Sequence, residues 1–277
     1  MLHHKDIFVS HVLPKLNETD QWFFLQANTE SWDLLEYAGV DVSKNYVSVH
    51  KCSSISTLEM LWDRTPWGAE NESGKVLDQA WFCSQVAHTN KLKFLKWARE
   101  EKKCELDEDT INAAALVGNL EMLKYCFANN CPYDEQESCR QAAGKGHVDC
   151  LRLLFAKVKP SRETEKNAAE MAAEYGQLDI LQYFVEERKI YNSVKHGCAG
   201  ISASCGNLTC LKYLVEEAKT PLDNWRLIAI ARFHEQTECL HYLREKGCPE
   251  PTDAECTEEA DFLTSLVERE GIPTRRS

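Results

Sequence analysis

Long apolar runs are missing from this chain. No stretch of its 277 residues approaches the roughly 20 consecutive apolar positions of a membrane-crossing helix. Proline and glycine are sparse, at 8 and 12 residues, and no tract rich in Pro, Ser or Gly interrupts the chain, so no long disordered linker is expected. The sequence holds no glycine-rich phosphate loop, no HExxH, no GxSxG elbow and no kinase signature. Those gaps remove the motif-borne routes to nucleotide, metalloprotease, hydrolase and kinase chemistry. Net positive charge is also lacking. The balance of 32 basic against 44 acidic residues leaves −12, which disfavours broad attraction to nucleic acid or anionic membranes. Met1 to Val12 lack the apolar core of a signal peptide, and a cytoplasmic or nuclear location is the expectation.

What the chain does contain is a periodicity. Leucines at Leu61, Leu95, Leu123, Leu151, Leu181, Leu211 and Leu240 follow one another at intervals of 28 to 34 residues, each three positions after a recurring start residue (Leu58, Leu92, Leu120, Val148, Leu178, Leu208 and Thr237). Intervals of this size mark supersecondary units that bury their apolar faces against neighbours. Function is then to be sought on a surface and not in a closed cleft.

Thirteen cysteines suggest a metal or disulfide framework until they are set in this register. Two residues after the start positions stand Met60, Phe94, Met122, Cys150, Ile180, Cys210 and Cys239; nine before them stand Val49, Cys83, Ile111, Cys139, Ala169, Ala199 and Ile228. Cysteine alternates there with aliphatic and aromatic residues, which is the behaviour of a small hydrophobe and not of a ligand. No CxxC pair exists, and His234, Cys239, His241 and Cys248 lack tight ligand spacing. Neither a metal nor another cofactor is expected, and the odd cysteine count fits free thiols in a reducing compartment.

The clearest unit runs from Asp109 to Cys126 and reads as two helices. Ile111, Ala114 and Ala115 recur at helical spacing in the first; Leu120, Met122, Leu123, Tyr125 and Cys126 give the second a broad apolar stripe. The small pair recurs as Ala142/Ala143, Ala172/Ala173 and Ser202/Ala203, which permits close approach of successive units. Gly118, Gly146, Gly176 and Gly206 separate the helices, where left-handed backbone reverses the chain. The next residue is polar each time, Asn119, His147, Gln177 and Asn207, and is expected to satisfy amides of the second helix. Proline then stops the chain at Pro132, Pro160, Pro221 and Pro249.

The pattern Ala-Ala-x-x-Gly-Asn/His-x-x-x-Leu resembles the ankyrin repeat, and Asn130-Cys131-Pro132-Tyr133 with Gly247-Cys248-Pro249 resembles the short, degenerate, cysteine-bearing arrays of algae, other protists and large DNA viruses. The Thr-Pro-Leu-His opening is absent and most intervals are shorter than the family period. The resemblance implies an all-α, ankyrin-like helical-repeat solenoid with shortened loops over residues 42–277, about seven repeats and an incomplete acidic closing repeat, preceded by a small helical N-terminal cap over 1–41. It further implies a non-enzymatic module that binds another protein through its concave face, at the two positions before each inter-helix glycine. Those positions hold Leu116, Val117, Lys145, Glu174, Tyr175, Phe233 and His234 as the partner-binding set. Leu116 and Val117 fit packing against a neighbouring helix equally well. A Cys/His enzyme site at Cys205 and His234 is the weaker reading, and no catalytic residue is assigned.

The first 40 residues stand outside the repeat. An Asp-led helix ending in leucines, a polar turn and a hydrophobic helix ending near a tryptophan resemble an F-box. That resemblance implies docking to a Skp1-type adaptor of a cullin ubiquitin ligase through Ile7, Phe8, Val12, Leu13, Pro14, Leu16 and Trp32. The same residues fit a cap on the first repeat, and a structural scaffold subunit of a larger assembly is a further alternative. Between Arg64 and Lys75 a longer connection reads as a solvent-facing loop; with Trp62 and Trp67 beside it, a contact point is the alternative. From the cysteine register, chelators are expected to leave helical circular dichroism intact and elemental analysis to find no stoichiometric zinc; loss of the helical signal on chelation would contradict the assignment.

Overall fold

The computed structural model describes residues 4–16, 34, 38, 49–70, 74–157, 159–190, 192–257, 261 and 264. It is all-helical: among the described residues the only β pairing is an isolated bridge between Glu70 and Val76. The chain divides into two units, Met1–Asp134 and Glu135–Ser277.

In the first unit, helical turns run through α1 (His4–Ile7), a π turn (Phe8–Val12) and a 3-10 turn (Leu13–Lys15). Phe8 is buried there with Val9, Leu13, Leu16 and Leu34 around it. A 3-10 turn (Val49–Lys51) leads to α2 (Ile55–Arg64), α3 (Gln79–His88), α4 (Leu92–Glu100), α5 (Glu108–Val117) and α6 (Leu120–Ala128). Their starts follow from side-chain caps. Ser54, Asp78, Asp107 and Asn119 each accept a hydrogen bond from the backbone N–H three residues on. Helix α3 packs on α5, while α2 packs on α4 and α4 on α6, so first and second helices of the hairpins form separate rows.

The second unit repeats this order with α7 (Glu135–Gly144), α8 (Val148–Lys157), α9 (Arg162–Glu174), α10 (Leu178–Gln182, continued by a π turn Tyr183–Arg188), α11 (Asn192–Cys205), α12 (Leu208–Glu216), α13 (Arg226–Phe233) and α14 (Thr237–Glu245). Helices α7, α9, α11 and α13 pack in succession, as do α10, α12 and α14.

Burial follows the repeat register. Leu61, Leu95, Leu123, Leu151, Leu181 and Leu211 are buried, and Leu240 alone of the seven is half-buried. All seven residues nine before the start positions are buried, and so are all but Met60 of those two after. The cysteines therefore sit where isoleucine and alanine sit elsewhere, and burial pushes the thiols of Cys150, Cys210 and Cys239 up to about 11. A third cysteine position is buried as well. Cys104, Cys131 and Cys248, after the second helices, are buried like Ile190 and Thr220. Cys131 Sγ donates to the Asp107 carbonyl at 3.0 Å and Cys248 Sγ to that of Asn224 at 3.4 Å, tying the end of each hairpin to its beginning.

The turns depart from expectation in an informative way. Asn119 caps its own helix with Oδ1 and also reaches back, its Nδ2 donating to the Asn90 carbonyl and Oδ1, whereas Gln177 and Asn207 make only the backward contacts. Gln177 Nε2 donates to the Gly144 carbonyl at 3.1 Å, and Asn207 Nδ2 donates to the Ala173 and Glu174 carbonyls at 2.8 Å each. They satisfy the open C-terminal carbonyls of the preceding first helix. Gly146 and Gly176 lie under these amides in left-handed backbone, and a Cβ on Gly146 would collide with Gln177 Oε1. Where glycine is missing, Asn90 and Glu235 take the same left-handed conformation.

A second ladder joins the second helices. Tyr125 donates to Glu100 at 3.0 Å, Tyr213 to Glu186 at 3.1 Å and Tyr242 to Glu216 at 3.2 Å, each glutamate belonging to the preceding hairpin. The long connection after α2 is pinned by aromatic contacts. Trp67 packs on Trp62 with centroids 4.4 Å apart, and Trp62 meets Phe82 edge-on at 5.1 Å.

Leu151→Ala, in a fully buried position, is expected to cost about 2–5 kcal/mol by leaving a cavity. Leu240→Ala should cost distinctly less. Thermal melts of the two variants check the order, and equal losses would refute the register.

Candidate functional site

Tyr175 and Phe233 are among the few large apolar side chains left at the surface, 40% and 36% exposed. Both stand at the C-terminal ends of first helices in the second unit. Phe233 ends α13, and Tyr175 follows α9 as its C-cap, with its N–H donated to the Met171 carbonyl. The helix ends there because the next position must turn back: Gly176 and, two residues past Phe233, Glu235 adopt positive φ. Tyr175 and Phe233 are the aromatic side chains carried out of the packed row at these ends.

Each aromatic has a polar companion. The Lys145 ammonium lies 5.9 Å from the centre of the Tyr175 ring, and Phe233 meets the His234 ring edge-on at 5.1 Å. One edge of Tyr175 lies against Gly144, where a Cβ would be 3.6 Å away. Lys145 is exposed, and Glu174 and His234 are half-buried. The structure thus places Lys145, Glu174, Tyr175, Phe233 and His234 in the second unit at equivalent helix ends. Leu116 and Val117 occupy the same helix end of α5 in the first unit and are half-buried there. Cys205 is exposed at the end of α11, its Sγ 3.6 Å from Ser204 Oγ.

Of the residues that match the adaptor-docking pattern, Ile7 and Val12 are exposed at 47% and 41%, Pro14 is exposed, Leu13 and Leu16 are half-buried and Phe8 is buried. Trp32, and the second helix expected around it, lie outside the described residues.

A feature absent from the sequence reading lies between α11 and α13. Their adjoining faces border an open groove of about 380 Å³ lined by Gly197, Gly200, Ile201, Leu227 and Ile230. His196, Asn224 and Arg226 stand at the end where α13 begins; Ser204 and His234 stand at the other. The available signal was a glycine pair inside an otherwise helical pattern, which costs about 0.5–1 kcal/mol per glycine relative to alanine and calls for a reason.

Among the described residues no group of three or more His, Cys, Asp or Glu side chains is placed to hold a metal ion, and no helix is long and apolar enough to cross a membrane. No protein-family model matches the chain, and no curated protein matches it.

Two histidines lie below the ordinary range of 6.5. His234 is lowered by burial; His50 is lowered by burial and then by its neighbour His88, whose ring lies 5.7 Å away, against the raising effect of its hydrogen bond to Gln85 Oε1. Both are therefore neutral in the fold at a pH where the unfolded chain already takes up protons. Stability is full above about pH 6.5 and falls as the pH drops through that value towards the lower folded pKa. Denaturant midpoints are expected to decline between pH 7.5 and 5.5, and the variant His50→Gln/His234→Gln should flatten the slope. An unaltered slope in that variant would count against the histidines as its source.

Proposed function

We propose that the chain is an ankyrin-like helical-repeat solenoid that binds another protein, without catalysis of its own, through the ends of its first helices. The observation that carries this reading is the exposure of Tyr175 and Phe233 at matching helix ends, in a unit whose other aromatics and leucines are largely buried. Aromatic side chains flanked by charged or polar neighbours are the commonest energetic anchors of protein interfaces. Lys145 and Glu174 beside Tyr175, and His234 beside Phe233, supply the groups that orient a partner. The repeat supports the same reading: hairpins packed in rows offer a succession of equivalent helix ends.

A second reading rests on a different observation. Ile7 and Val12 are exposed in the N-terminal helical turns, as an F-box segment docking a Skp1-type adaptor of a ubiquitin ligase requires. Under this reading the helix ends recruit the substrate and the N-terminal segment delivers it. Co-purification of recombinant Skp1-type adaptor with the chain, lost on Ile7→Asp/Val12→Asp, discriminates the two readings.

For the first reading, a partner is to be isolated by affinity purification and mass spectrometry and its binding measured for Tyr175→Ser/Phe233→Ser. Each aromatic is expected to contribute about 1–2 kcal/mol or more of binding, with little effect on folding. Charge reversal of the exposed Glu121–Lys124 pair on the second helix α6 serves as control and should leave affinity unchanged. A partner that ignores the double serine variant binds elsewhere, and the assignment to the helix ends fails.

A further inference from the structure

The first unit holds thiols in direct contact. The Cys83 thiol, in the middle of α3, donates to the sulfur of Cys104 in the turn after α4, and both residues are inaccessible to solvent. Backbone and side-chain bonds fix that turn. The Cys104 N–H donates to the Ala98 carbonyl at 3.1 Å, and Arg99 Nη1 donates to the Cys104 carbonyl at 2.7 Å, which ties a guanidinium to this residue. Lys102, two positions earlier, adds a second positive charge.

These surroundings give two identical groups different roles. The Cys83 S–H, the backbone of Cys104, Arg99 and Lys102 together hold the Cys104 thiol below its ordinary value of 9.0, against the opposing effect of burial. Cys83 keeps its proton, pushed up by the bond to Cys104 and by burial. The thiolate is the nucleophile of thiol oxidation, and cysteines beside Arg or Lys are the ones that react. A neutral thiol in contact with it is placed to resolve the oxidised product. The Cys126 and Cys131 sulfurs also touch, but without this division: Cys131 keeps its proton and donates to the Asp107 carbonyl at 3.0 Å. Exposed Lys103, in left-handed backbone, and exposed Glu105 flank Cys104, so local opening of this turn admits a small oxidant while α3 stays packed.

We propose that Cys83 and Cys104 are a site of reversible oxidation by hydroperoxides, Cys104 reacting first and Cys83 closing the disulfide. With hydrogen peroxide, the Cys104 thiolate attacks one oxygen, the O–O bond breaks, and the leaving hydroxide takes up a proton to become water. Cys104 is then a sulfenic acid. The Cys83 sulfur attacks the Cys104 sulfur, the S–O bond breaks, and the Cys83 proton leaves with that oxygen as a second water. Two thiols and one peroxide give one disulfide and two waters. The new bond locks the middle of α3 to the far end of α4.

The full chain is reduced, exposed to hydrogen peroxide, quenched at intervals by alkylation and mapped by mass spectrometry without reduction. A Cys83–Cys104 linkage is expected to form about fivefold faster than a Cys126–Cys131 linkage, before the buried thiols of Cys150 and Cys210 are lost, and to reopen with dithiothreitol. Its rate should rise with pH about a midpoint below 9.0. Cys83→Ala tests the resolving role, since Ala169 and Ala199 fill the same register position and are buried there. In that variant Cys104 should stop at a sulfenic acid trapped by dimedone. If the variant does not fold, dimedone added to the unaltered chain should label Cys104 and not Cys83. A Cys83–Cys104 linkage no faster than Cys126–Cys131, loss of Cys150 at the same rate, or dimedone on Cys83 in place of Cys104 would overturn the proposal.

Discussion

No hairpin in this chain holds enough apolar surface to bury its own leucines, and the rest of the structure follows from that constraint. A residue such as Leu181 or Leu211 reaches complete burial only because a neighbouring hairpin closes over it. Close approach of the first helices then demands small side chains on the facing surface. Ala114 and Ala115, Ala142 and Ala143, Ala172 and Ala173, and Ser202 and Ala203 are all inaccessible to solvent. A larger residue at any of these points would hold two hairpins apart and uncover leucines on both.

The same constraint explains the cysteines. At the positions where space is tight but apolar contact is needed, cysteine stands in for alanine or isoleucine, and its raised pKa keeps it a neutral thiol. At the end of a hairpin it does something isoleucine cannot. Cys131 and Cys248 each donate to a backbone carbonyl 24 residues earlier. A cysteine-rich composition thus arises from packing, with no metal or disulfide required to account for it.

Close stacking also sets what is left outside. Gln177 and Asn207 lie across the glycines of the preceding turn and take up its carbonyls, so the turn is held against the next hairpin and not only within its own. With the turn fixed, the residues just before it project away from the rows. Tyr175 stands exposed directly before a turn held in this way. The groove beside α13 has a different origin, since Gly200 omits a side chain where α11 faces Leu227 and Ile230.

Periodicity, the helical class and the structural use of most cysteines were legible in the sequence, because each depends on residue type at a repeated position. Burial at Cys83, Cys139, Cys150, Cys210 and Cys239 follows directly from their exchange with isoleucine, alanine, methionine and phenylalanine in register. The exposure of Tyr175 was legible for the same reason, being set by its distance from the turn. Contacts between hairpins were not legible. That Gln177 and Asn207 would reach back to the preceding helix, that Tyr125, Tyr213 and Tyr242 would each find a glutamate one hairpin earlier, and that Cys131 and Cys248 would bond to carbonyls 24 residues earlier all depend on how the elements pack. The groove over Gly197 and Gly200 belongs to the same class, since its walls come from two helices some 30 residues apart. Residue spacing sets which face a side chain takes on its own helix, whereas what that face meets is decided only when the next hairpin has packed against it.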